Sequence, residues 1–286
     1  MGEISKKLKA EFARWGGRLR QQMERESIPK DVHDMQALVA EGHDPLHAVY
    51  IFVQNLTSLF AECVSVLPKL LPYYDIVAAA EDNYLPGGPP MSPLTRSYFT
   101  GWAFFDLRFG DDLETIGSCL LEVSNRLGID ADMKKAIRQY QESRMGIYEH
   151  CGMTGGRIHL RELVTDRDFS CFSASGYQGR PGELWYVRLC PPLFDLADYH
   201  VTVTTPYILT GSTKTDWSAY LERAMLRGKG DGDEEQRLHD LLKYGLSVHH
   251  WNEYVFLGFH HAQFDAIFLT GIPDVKGSLP HVKKRK

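Results

Sequence analysis

GGRIHLRELVTDRDFSCFSASGYQGRPGELWYVRLC, residues 155 to 190, is where the chain changes its period. Upstream, apolar residues recur every three or four positions; here short runs rich in aromatic and β-branched residues are cut by acidic and glycine-rich turns. Asp166-Arg167-Asp168 supplies one turn and GYQGRPGE (176 to 183) another. Further on, YHVTVTTPYIL (199 to 209) sets Val201, Val203 and Thr205 on one face of a strand. Short strands joined by such turns make a small antiparallel sheet or a partly open barrel.

Outward from that stretch the periods are helical. Ile4, Leu8, Phe12, Trp15, Leu19 and Met23 form one stripe, so residues 4 to 23 read as a helix facing a core or a partner, with a weak point at Gly16-Gly17. A helix is expected over about 30 to 41. Asp44-Pro45 caps a long one running to about Leu67, closed by Pro68 and Pro72. DNYLPGGPPMSPLT (82 to 95) is a loop, a connector or a binding loop. The aromatic run SYFTGWAFFDLRFG and two more periods, about 113 to 127 and 130 to 148, continue the helical pattern. Thr213 or Thr215 begins another helix near Asp216. Helices over about 235 to 244 and 246 to 264, a short strand within 265 to 274 and a basic tail follow. The fold class expected is α+β: a mainly helical N-terminal half (1–150), a small β module (151–212), and C-terminal helices with a short strand and basic tail (213–286).

Composition bounds the function. The 286 residues are 43% apolar and 24% charged, the balance of an ordinary folded protein. A formal charge of -5 and a pI near 6.2 argue against a dedicated nucleic-acid binder. Five scattered cysteines without a C-x-x-C pair fit a reducing, cytoplasmic compartment. The start carries no apolar leader, and the most apolar window, 48 to 67, holds Gln54, Asn55 and Glu62, so no membrane anchor is expected.

The run from Ser143 to Pro192 resembles a module of poorly characterised bacterial proteins, some of which carry a C-terminal SEC-C zinc motif. The resemblance lies in SRMGIYE, in GGRIHLREL with its acidic turn, and in GELWYVRLCPP. It implies a helix leading into a small β module in a bacterial protein. The cysteine-rich zinc motif is absent here, so no metal ligand carries over.

Signatures for a nucleophile elbow, a phosphate loop, a zincin helix or a dinucleotide fold are missing. The richest chemical stretch is SVHHWNEYVFLGFHHAQFD (247 to 265). On one helix His250 and His261 would lie about 16 Å apart along the axis, too far to share an ion. His250 with Glu253, and His261 with Asp265, are therefore separate half-sites for a divalent metal, each needing ligands from elsewhere. A nucleic-acid surface would use Trp185 and Tyr186 for stacking and Lys283, Lys284, Arg285 and Lys286 for phosphates. With no catalytic set assembled, the reading favoured is a binding protein whose partner is another protein or a second copy. A metal-dependent enzyme, plausibly a hydrolase, and a nucleic-acid binder are the alternatives.

Overall fold

The N-terminal stripe is a core element. In a computed structural model of the chain, which describes residues 1–26, 42–85, 94–227, 232–245, 259–262, 265–270 and 273, it forms α1 (Glu3–Ala10) and α2 (Phe12–Arg25). Ile4, Leu8, Trp15, Leu19 and Met23 are all buried, so most of the stripe packs into the chain's own interior. The break falls at Glu11, where the Trp15 indole donates to the Leu8 carbonyl at 3.1 Å, and not at the glycine pair. Gly16 lies inside α2, where a Cβ would meet the Phe12 ring at 2.6 Å.

Asp44 caps α3 (Pro45–Ser65) by accepting from the His47 amide at 2.9 Å, with Pro45 in the first turn. This helix is long and apolar enough to cross a membrane by composition, but 56% of its most apolar window is buried. Its polar groups find partners: Gln54 donates to the Tyr140 hydroxyl and Thr57 to the Val53 carbonyl. A short 3-10 turn (Pro68–Leu70) leads to α4 (Leu71–Tyr84), then α5 (Arg96–Phe105), α6 (Ile116–Leu127) and α7 (Ala131–Glu142). The sequence reading missed α4 and ran the last helix to Tyr148. In fact β1 (Met145–Thr154) begins there, after Ser143 in extended conformation ends α7.

The β module is a ring. Strands β1, β2 (Arg157–Glu162), β3 (Asp168–Ser173), β5 (His200–Thr202) and β4 (Leu184–Cys190) are hydrogen-bonded in that order, and β4 returns to β1, closing a five-stranded barrel. All pairs in the ring are antiparallel except β3–β5. Beyond Thr202 the chain kinks through Thr204 and Pro206 and resumes as β6 (Tyr207–Thr210) along the same edge of β4. Beta6 leaves the ring and pairs in parallel with β8 (Ile267–Thr270), which β7 (Phe259–Ala262) borders. The sheet is thus partly closed, as expected, but mixed.

Period two explains how this barrel joins the helices. On β4, Trp185, Val187 and Leu189 fill the barrel with Tyr148, Ile158, Leu160 and Cys171. Leu184, Tyr186 and Cys190 face the other way, into one continuous core with the helices. Every residue of β4 is buried. Two C-terminal helices, α8 (Lys214–Arg227) and α9 (Glu234–Tyr244), add Trp217, Leu221, Leu238 and Leu242 to the same core.

Candidate functional site

Of the residues singled out from the sequence, the described ones do not form a common site. Trp185 and Tyr186 are fully buried, one inside the barrel and one against the helices, so neither has a ring face to offer a base. The stacking role assigned to them is withdrawn. Lys283, Lys284, Arg285 and Lys286 lie outside the described residues, as do His250, Glu253 and the PGGPP loop. His261 stands on strand β7, paired with Phe268 of β8, so residues 259 to 262 are not helical and His261 and Asp265 are not one helical turn apart. For Phe259–Ala262, where the sequence pattern is open to helix or strand, pairing with β8 decides it. Among the described residues no three His, Cys, Asp or Glu side chains are grouped to hold a metal ion.

What the fold does assemble is an apolar groove of about 390 Å³ in the helical half. Its floor comes from Ile4 and Leu8 of α1, Phe60, Ala61 and Val64 of α3, and Ile116 and Cys119 of α6. Phe104 of α5, Phe109 and Leu70 of the 3-10 turn also line it, and Tyr73, Tyr74 and Val77 form the wall that α4 provides. The volume falls within the range of small-ligand and side-chain pockets, and the wall chemistry is the mainly apolar kind.

The floor is held rigidly. The buried Glu114 carboxylate accepts from the backbone amides of Ile4 and Ser5 at 2.8 and 3.2 Å and from the Ser5 hydroxyl, while Asp112 takes the Glu3 amide. Together they satisfy the open amides that begin α1 and complement its dipole. Thr115 and Ser118 form a capping box at the start of α6. Burial pushes the Cys119 thiol up to about 12, so the sulfur in the floor is a protonated, unreactive group.

The wall is a different material. Of fourteen residues in α4 only Ala80 is fully buried. Leu71 and Tyr74 on this helix are 46% and 51% exposed and Val66, ahead of the 3-10 turn, is 58% exposed; Tyr74 lines the groove, and Val66 and Leu71 follow its lining residues Ser65 and Leu70 in sequence. Clustered exposure of this kind marks interaction surfaces, whereas single exposed apolar residues do not. A sequence signal for α4 existed: Pro72 in a first turn, followed by Tyr73, Ile76, Val77, Ala80 and Tyr84 at helical spacing.

Sequence reasoning also missed a buried charge centre joining the two halves. Asp106, at the end of α5, pairs with Arg188 of β4 and accepts from Lys243 of α9 at 2.7 Å. Arg188 and Lys243 both also donate to the Ser143 carbonyl, at 3.0 and 2.7 Å. Asp106, Arg188 and Lys243 are each under 5% exposed. One carboxylate thus serves two cations, and desolvation brings the lysine down to about 8.

Comparison with protein-family models, with curated proteins and with solved structures found no match.

Proposed function

We propose that this chain is a binding protein that captures an apolar segment of a protein partner in the groove between α1, α3, α4 and α6. The observation that carries this reading is the conjunction of an apolar groove with the exposed apolar residues Leu71 and Tyr74 on its least buried helix and Val66 just ahead of the 3-10 turn. A partner would bury both at once, and the inserted side chains would supply most of the affinity. Five free thiols, four of them buried, agree with a reducing, cytoplasmic setting for such a partner.

The test uses the intact chain in its own cells, with a photo-reactive benzoylphenylalanine in place of Tyr74 or, as a control, of Met153 on the barrel. The reading expects a discrete cross-linked protein from position 74, lost when Val64→Arg blocks the groove. Adducts from position 74 that match those from position 153 would overturn it. Light scattering of the purified chain across a concentration series separates a second copy from a different partner.

A further inference from the structure

A second concavity lies at the seam between the barrel and the C-terminal helices, and nothing in the groove reading uses it. It is a cleft of about 190 Å³ bordered by the ends of α7 and β1, by β2, β3 and β5, and by α9. His200 of β5 and His239 of α9 both line it. Among the described residues neither imidazole has a hydrogen-bond partner, so each neutral ring leaves one N–H donor and one acceptor for whatever fills the cleft.

The carboxylates around it are already occupied. Glu162 takes Arg144 at 2.9 Å and the Thr165 hydroxyl at 2.8 Å, and Glu235 on α9 is paired with Arg167. Glu142, at the rim, accepts from the Gln139 amide. Behind Ser143, a wall residue, stands the Asp106 centre with its two cations and one carboxylate, an excess of one buried positive charge. Unused donors, engaged carboxylates and an unbalanced cation one residue behind the wall together select for negative charge.

We infer that this cleft binds a small oxyanion, a phosphate or short carboxylate, between His200 and His239. The volume admits an ion of that size and excludes a nucleotide. The neighbours fix how binding responds to pH. Burial first, and then Arg167, bring His200 down to about 4; burial, Arg144 and Lys243 do the same to His239, against the opposing pull of Asp240 and Asp106. An anion reverses that field, so its entry draws protons onto the imidazoles and the site tightens as the solution is acidified.

The experiment titrates inorganic phosphate and, separately, malonate into the full chain at constant ionic strength, following the histidine imidazole resonances by NMR at pH 7.5 and 5.5. Saturable shifts at His200 and His239, with the other histidines unmoved, are expected. Affinity should rise by up to about tenfold per pH unit for each proton taken up. Which of the two ions binds tighter separates a phosphate site from a carboxylate site. His200→Gln should abolish the response at His239, and if that variant fails to fold the unmodified chain still decides the matter. No saturable shift with either ion, or shifts reproduced by sodium chloride alone, would overturn the inference. The result leaves the groove reading untouched, since cross-linking at position 74 does not depend on the cleft.

Discussion

Strand β4 and helix α4 lie at opposite extremes of burial. All seven residues of β4 are covered, three inside the barrel and four against the helices, and Arg188 carries a buried ion pair from the same strand. Alpha4 has fourteen residues and one that is fully buried. Burial on this scale sets local stability, because each covered apolar side chain contributes about 1.5–3 kcal/mol relative to exposure. The contrast separates the part of the molecule that holds the fold from the part with the least burial to hold it in place.

The largest effect expected is at the charge centre. Asp106→Ala strands two buried cations and should cost about 3–5 kcal/mol of unfolding free energy in urea titration. Replacing Asp106, Arg188 and Lys243 together with leucine or methionine should cost less than that single change. If it costs more, the ions are worth more to the fold than the desolvation argument allows. Removing the α3 cap with Asp44→Ala should cost about 1 kcal/mol, because the His47 amide is left open. Asp44 also accepts from the Tyr199 hydroxyl, so Tyr199→Phe in the Asp44→Ala background should cost less than in the native chain.

Acid should weaken the seam. Both cleft histidines have folded values held below the ordinary 6.5 by burial and neighbouring cations, so between about 6.5 and 4 the unfolded chain binds more protons than the folded one. Their contribution is therefore present above that window and is lost as pH falls through it. A urea-stability profile against pH should slope downward there, and less steeply in a His200→Gln variant. The smallest effect is at the exposed residues beside the groove. Leu71→Asp or Val66→Asp should change stability by no more than about 0.5 kcal/mol while removing the cross-link from position 74. A large loss of stability would mean that these residues belong to the core.

Much of the fold was legible because it is written in local periods. The Ile4 to Met23 stripe, the Asp44-Pro45 cap, the Thr213 start of α8 and the runs that became β2, β3 and β4 all depend on neighbours in sequence. Closure of the ring was not legible. The parallel β3–β5 pair joins residues 171–173 to 200–202, and nothing local encodes such a partner. The same limit explains β7, where a pattern open to helix or strand was settled by β8.

The candidate site was hardly legible at all. Conspicuous residue types drew attention to histidine pairs and paired aromatics, yet Trp185 and Tyr186 serve the interior. The groove is instead built from ordinary residues such as Ile4, Val64 and Val77, brought together from five helices. Asp106, Arg188 and Lys243 are far apart in sequence, and only the fold reveals that they meet.

The contrast between the two elements is tested most directly by native-state hydrogen exchange on the intact chain. The amides of β4 should exchange only with global unfolding, and those of α4 by a local opening that urea hardly affects, at least about 100-fold faster. Equal protection of α4 and β4, with the same urea dependence, would contradict the account, because the wall of the groove would then be as fixed as the barrel.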